Sequence, residues 1–381
     1  MIAQNGTLEI SRSRLLHNVS LMQQHISPTT KLCATIKANA YGHGIRQITD
    51  ILRRNTDISW VCLYSLPEAI HMLDYYQVPF NVLVLAPIVL TEASPLLEIA
   101  RSIPLPIRLN VIDAASAQYL SHALRDRKHP IPIHIQIETG LTRMGADPHT
   151  VHALADTIAS LHNLRLEGVF AHFSHGDVPD HDTVRQQLQV LHQIADPLKE
   201  RYPHLMIHHQ NSGGAWHMVD ELLDMVRVGI ALYGLQPSMS DRIEGLLPIA
   251  RVTAPIFAIH ERPAGTGVGY GHTFVAKRQS RLAVVPVGYA EGYPRLMTNK
   301  CVAQVRGIDV PVVGRVSMDQ IILDVTDVAG AKVGDGVTVI SWEPEKANCL
   351  DRMAEAMGTI GYELATHMGA GGERLRRVIV D

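Results

Sequence analysis

Between residue 32 and about residue 230 the chain alternates short apolar runs with longer amphipathic stretches, and it does so eight times. The runs are Leu32–Ile36, Trp60–Leu63, Val82–Leu85, Ile107–Val111, Ile133–Ile137, Leu166–Phe170, Met206–His209 and Met225–Val228. Each is short, apolar and partly β-branched, which is how a buried strand reads. Between them, segments such as Pro67–Tyr75, Ala114–Leu124, Val151–Leu161 and Thr183–Leu198 carry apolar residues at helical spacing. Eight such βα units suggest a parallel (β/α)8 barrel. A doubly wound open sheet alternates in a similar way, so periodicity alone leaves both open.

After Tyr233-Gly234-Leu235-Gln236-Pro237 the pattern changes. Leu282–Val287, Val302–Val305, Val310–Val313, Ile321–Val325 and Val337–Ile340 read as strands separated by short turns, with a helix-like segment at Leu350–Met357. A chain of 381 residues exceeds the size at which one core usually stops growing. The expected division is a barrel over residues 10–240 and a mostly β domain over 241–381, joined by residues 1–9.

The barrel reading makes a demand that the unusual residues can meet or fail: active sites of such barrels lie at the C-terminal ends of the strands. Lys37 and Tyr41 follow the first run, Arg143 the fifth and His172 the sixth; His208, Asn211 and Ser212 close the seventh, and Arg227 lies in the eighth. All fall toward one rim. A lysine at the edge of an apolar interior is poorly solvated, which favours the neutral amine that condenses with a carbonyl. Taken alone, Lys37 reads better as a strand-end lysine reaching for water. The loops Asn211-Ser212-Gly213-Gly214 and Val228-Gly229-Ile230 sit where barrels commonly hold phosphate. Singly they are turns or a helix cap with Ser212 as the cap. Together with Lys37 they point to a phosphate-bearing aldehyde, and pyridoxal phosphate fits.

Other classes find little support. The formal net charge of -3 gives no bias toward nucleic acid or an anionic membrane. No run approaches the ~20 apolar residues of a spanning helix, and Met1 to Ser11 lacks the layout of a signal peptide. A cytoplasmic protein is expected. Cys33, Cys62, Cys301 and Cys349 are scattered without a CxxC pair. His208-His209 and His172-x-x-His175 lack a carboxylate or cysteine pattern to complete a metal site, so no metal is expected. Gly265-Thr266-Gly267-Val268-Gly269-Tyr270-Gly271 precedes no clear helix and reads poorly as a dinucleotide loop.

Over nearly its whole length the sequence closely resembles the bacterial alanine racemases. The stretches that carry the resemblance are Lys37-Ala38-Asn39-Ala40-Tyr41-Gly42-His43-Gly44, Glu138-Thr139-Gly140-Leu141-Thr142-Arg143-Met144-Gly145, Asn211-Ser212 and Met225 to Gly234 in the first part. In the second part they are Gly269-Tyr270-Gly271-His272-Thr273, Pro286 to Pro294, Gly314-Arg315-Val316-Ser317-Met318-Asp319-Gln320 and Gly361-Tyr362-Glu363. The resemblance implies an isomerase that interconverts L- and D-alanine with pyridoxal phosphate, supplies D-alanine for peptidoglycan, and shares its active sites across a homodimer. It implies that Lys37 carries the cofactor as a Schiff base and is one of two acid–base groups, the other being Tyr270 of the partner copy. Tyr41, Asn211, Ser212, Gly229, Ile230 and Tyr362 are then cofactor-binding on the phosphate side, His172 lies against the ring, and Arg227 contacts its nitrogen with His208 behind. Arg143 contacts the phenolic oxygen side of the cofactor and the substrate carboxylate, and Tyr289 and Met318 of the partner copy line the substrate entrance, with Gln136 and Asp319 one layer back.

Gln136 departs from the family pattern, which often has there a carbamylated lysine that orients the arginine matching Arg143. Glutamine can accept a hydrogen bond from Arg143 but brings no charge, so no carbamate is expected, with a bound anion such as chloride as the substitute. Glu138 and Ser317 are milder departures. Competing readings are a broader or serine-preferring racemase, a non-catalytic pyridoxal phosphate carrier, and a barrel decarboxylase. Tyr270 argues against a carrier, which needs no second base, and Cys301 lacks the context that a decarboxylase needs.

Overall fold

The computed structural model describes residues 6–75, 80–88, 107–178, 181–370 and 374–381. Residues 1–5 of the expected N-terminal segment lie outside them. After a first strand β1 (Gly6–Ser11) come β2 (Lys31–Thr35), β3 (Trp60–Leu63), β4 (Asn81–Pro87), β5 (Ile107–Asn110), β6 (Ile131–Gln136), β7 (Leu164–Phe170), β8 (Met206–His208) and β9 (Met225–Val228). Strands β2 to β9 close into one barrel in chain order, each parallel to its neighbours. The eight runs read from the sequence are these eight strands, and the open-sheet alternative is excluded.

Period-two alternation explains why a barrel closes here. Ala34, Val61, Val82, Val84, Ile133, Ile135 and Val226 join the large core beneath the surrounding helices. Their alternate neighbours Cys33, Trp60, Cys62, Leu83 and Met225 form a separate small cluster inside the barrel. The helices Ile45–Asn55, Leu66–Tyr75, Ala114–Ala123, Val151–Ser160 and Asp182–Arg201 follow β2, β3, β5, β6 and β7.

Beyond the barrel, a six-stranded sheet runs in the order Ile308–Pro311, Val302–Val305, Gly336–Ile340, Ala250–Pro255, β1, Leu375–Val380. Strand β1 therefore belongs to this sheet, antiparallel to Ala250–Pro255 and parallel to Leu375–Val380. It leads directly into the helix Arg12–His25, whose first turn is capped by Ser11 Oγ accepting from the Arg14 N–H at 3.2 Å. Asn18 of that helix donates to the carbonyls of Leu232 (3.1 Å) and Leu247 (2.8 Å), tying sheet and barrel together. A second sheet holds Ala258–Arg262, Ser280–Val285 and Ile321–Asp324.

The expected strand Val310–Val313 forms two residues earlier, at Ile308–Pro311. The reason is the turn before it: Arg306 and Gly307 both have positive φ (52° and 80°), which closes a two-residue hairpin pairing Val305 with Ile308.

Candidate active site

Strand β2 delivers Lys37 to the C-terminal rim, and the chain then turns in an unusual way. Ala38, Asn39, Ala40 and Tyr41 all adopt φ of 52° to 56°. L-residues resist this left-handed region by ~1–2 kcal/mol each, so the turn persists only because its surroundings over-determine it. The Ala38 N–H donates to Glu68 (2.9 Å), and Asn39 Oδ1 accepts from the Ile45 N–H (2.8 Å). Gly42 backs against the helix Gly361–Ala370: a Cβ there would lie 2.0 Å from the Ala365 carbonyl oxygen. This glycine admits a helix rather than a ligand, and that helix carries Tyr362.

The turn bounds a cavity of ≈ 620 Å³. Lys37, Tyr41, Gln136, Arg143, His172, Asn211, Ser212, Arg227, Gly229, Ile230 and Tyr362, all singled out from the sequence, line it together. Among the described lining residues there is no carboxylate, whereas Lys37, Arg143 and Arg227 all face in. Burial pulls the Lys37 amine below its ordinary 10.5; Cys62 and Glu68 oppose this, and the charges of Arg143 and Arg227 reinforce it.

At one end of the cavity Ser212 Oγ accepts from the Gly229 N–H (2.9 Å) and the Ala231 N–H (3.5 Å). Asn211, not Ser212, caps the helix Ser212–His217, its Oδ1 accepting from the Gly214 N–H at 3.0 Å. The Tyr41 ring lies between those of Tyr233 (5.0 Å) and Tyr362 (6.1 Å). Burial raises both the Tyr41 and Tyr362 phenols, so both hydroxyls remain donors.

Arg227 forms the floor and is buried. Its Nη1 donates to His208 Nδ1 (2.7 Å), and its Nη2 donates to the Ala171 and His209 carbonyls (2.8 and 3.2 Å) and lies 3.2 Å from His172 Nδ1. Burial, then the charges of Arg227, Arg143 and Lys37, push His172 down to about 3, so its ring is neutral. His209 stacks on Phe173 at 3.7 Å.

Gln136 does not hold Arg143. Its Oε1 accepts from Asn110 (3.2 Å) and its Nε2 donates to the Met144 carbonyl (3.2 Å). The loop presenting Arg143 is instead stapled by Glu138, whose carboxylate accepts from the N–H groups of Gly140, Thr142 and Arg143 (2.6, 2.9 and 3.3 Å).

Four predicted residues lie elsewhere. Tyr270, Tyr289 and Met318 are 72, 43 and 53 % exposed and do not line the cavity. Tyr289 and Met318 are neighbours, since the Tyr289 N–H donates to Ser317 and the Ala290 N–H to Met318. Asp319 pairs with Arg374. Sequence reading passed over Arg108, His134 and Glu167, which connect to the floor of the cavity. Their signal was present: each is a charged or polar residue flanked by apolar neighbours on a barrel strand.

Two family models match the chain: the alanine racemase N-terminal domain over residues 10–237 and the alanine racemase C-terminal domain over residues 249–379. Alanine racemase from Synechocystis sp. is 33% identical over 375 residues, covering 96% of each chain. Alanine racemase 2 from Caldanaerobacter subterraneus is 31% identical over 360 residues, covering 94% of this chain and 91% of that one. Among solved structures, an alanine racemase of Clostridium difficile 630 superposes with a TM-score of 0.89 at 28% identity, covering 100% of this chain and 97% of that one. Alanine racemase from Bartonella henselae, solved with covalently bound pyridoxal phosphate, gives 0.84 at 26% identity, covering 99% and 100%. With both family domains present in order and a lysine-bearing barrel rim of the matching architecture, this chain belongs to the alanine racemase family.

Proposed function

We propose that the protein interconverts L- and D-alanine with pyridoxal phosphate held in the barrel mouth, using Lys37 of one subunit and Tyr270 of another as the two acid–base groups. The observation that carries this is the common cavity: Lys37 at one side, an uncharged set of donors at one end, Arg227 beneath, and no carboxylate among the described lining residues. That donor set suits a phosphate. It comprises the Ser212, Tyr41 and Tyr362 hydroxyls beside the backbone at Gly229 and Ile230. Asn211 supports it as the helix cap.

When bound, pyridoxal phosphate withdraws electrons from the substrate Cα and so acidifies its proton. The chain's own residues then decide what happens. Lys37, favoured as a neutral amine by burial, holds or releases a proton on one face of Cα. Arg143, whose guanidinium has no side-chain partner among the described residues, is placed to take the substrate carboxylate. Arg227 stays a donor at the floor and would hold the ring nitrogen as an acceptor rather than protonate it. One lysine does not readily serve both faces, so a second group is needed opposite. Tyr270 is exposed and outside its own cavity. It sits between Gly269 and Gly271, both at φ 68°, on a projecting turn. Those facts support its reaching into a partner's site with Tyr289 and Met318, and hence a homodimer. The functional unit is then barrel 10–240 plus the β domain 241–381 with residues 1–9. A cytoplasmic role in supplying D-alanine for peptidoglycan follows from this reading.

The test is direct. Purified protein should show the absorbance of bound pyridoxal phosphate, lost in Lys37→Ala, and alanine should rank among the best of a panel of amino acids racemised. A preference for serine or a broad range points to the alternative reading.

A further inference from the structure

Five consecutive barrel strands each contribute one polar residue to a single chain, buried but for Glu167: Arg108 from β5, His134 from β6, Glu167 from β7, His208 from β8 and Arg227 from β9. Glu167 accepts from Arg108 Nε (2.7 Å) and Arg165 Nη2 (2.8 Å), and its Oε2 lies 3.3 Å from His134 Nε2. His134 Nδ1 lies 2.9 Å from His208 Nε2, and His208 Nδ1 lies 2.7 Å from Arg227 Nη1.

The two ends of this chain dictate its proton arrangement. Arginine can only donate, so His208 Nδ1 accepts and its single ring proton sits on Nε2. That proton is donated to His134 Nδ1, which leaves the His134 proton on Nε2, donated to Glu167. An ionised carboxylate can only accept, so the arrangement closes without a clash. Two neutral imidazoles between a donor-only and an acceptor-only group have no other fully bonded state. Burial drives both rings toward neutrality, and the neighbours hold Glu167 well below the usual carboxylate range.

The backbone is adapted to this contact. Pairing of β6 with β7 runs Ile133 with Leu166 and then His134 with Gly168, skipping Glu167. Such a bulge re-aims the extra residue. The next residue must be glycine, because a Cβ at Gly168 would lie 2.5 Å from His134 Nδ1.

We propose that Glu167 and His134 are positioning residues for racemisation: they anchor the His208 ring through the Nε2 proton that Arg227 leaves on it, and so aim the Arg227 guanidinium at the cofactor ring. This rests on the proposed function, and the experiment separates the two. Protein labelled with 15N in its histidine rings reports tautomers without any assay of activity. Wild type is expected to show protonated Nε2 and unprotonated Nδ1 at both His134 and His208. In Glu167→Gln the donor-only Arg227 still sets both ring protons, but the charged acceptor that anchors the far end of the chain is lost. The kcat for alanine then falls about 10-fold to 100-fold with a smaller change in KM, the range known for partners that orient metal ligands. Protonated Nδ1 on either wild-type ring overturns the proposal, whether or not the variant folds. So does a folded Glu167→Gln protein with unchanged kcat. A wild type with this tautomer pattern that does not racemise alanine refutes the proposed function and leaves the proton arrangement standing.

Discussion

The Tyr41 hydroxyl packs against Gly229 so closely that a Cβ there would stand 2.5 Å from its oxygen. The segments that follow β2 and β9 thus meet at the end of the cavity where Ser212 also engages the Gly229 N–H. A Gly229→Ala substitution must displace the tyrosine. Losing one hydrogen bond to a charged group costs ~1.5–3 kcal/mol. Pyridoxal phosphate affinity is therefore expected to fall at least about tenfold, with Tyr41→Phe showing a similar loss. Titration of cofactor-free protein measures both, and unaltered affinity in both variants removes this end of the cavity from phosphate binding.

Arg227 satisfies His208 Nδ1 and the Ala171 and His209 carbonyls where water does not reach. Arg227→Ala leaves these acceptors without their donor and opens a cavity. Unfolding in urea should show a loss of about 3 kcal/mol. A loss under about 0.5 kcal/mol, the usual range for an unremarkable surface change, contradicts the packing described.

Lys37 carries a pH signature with a definite sign. Its folded pKa lies below its unfolded value of 10.5, so between the two the unfolded chain binds more protons and stability rises with pH. Below that window the buried ammonium costs stability. In cofactor-free protein, Lys37→Met should therefore be more stable than wild type at pH 7, with the advantage shrinking as pH approaches 10.5. Denaturant midpoints at several pH values decide it; an advantage that grows with pH refutes the lowered pKa.

Much of this was legible in the chain because two periodicities are strong. The eight apolar runs became eight barrel strands, and the polar residues closing them converged on one cavity. Three things escaped. The left-handed turn at residues 38–41 is held by distant groups, Glu68 and the helix under Gly42, which no local propensity reports. Gln136 was read by its relation to Arg143, but its amide is taken up by Asn110 and Met144, which come near only once the barrel closes. Arg108, His134 and Glu167 looked like isolated interruptions of apolar strands, since their adjacency depends on strand register and on the bulge at Glu167. Tyr270, Tyr289 and Met318 came from resemblance alone, and a single chain leaves them outside its cavity.

The central claim is that protons leave and arrive at Cα through two different groups, Lys37 and Tyr270. Solvent-deuterium incorporation at Cα, followed separately from L-alanine and from D-alanine, tests it most directly. Tyr270→Phe is expected to slow exchange from the L-isomer much more than from the D-isomer. An equal loss from both isomers contradicts the assignment of the two faces to these two residues.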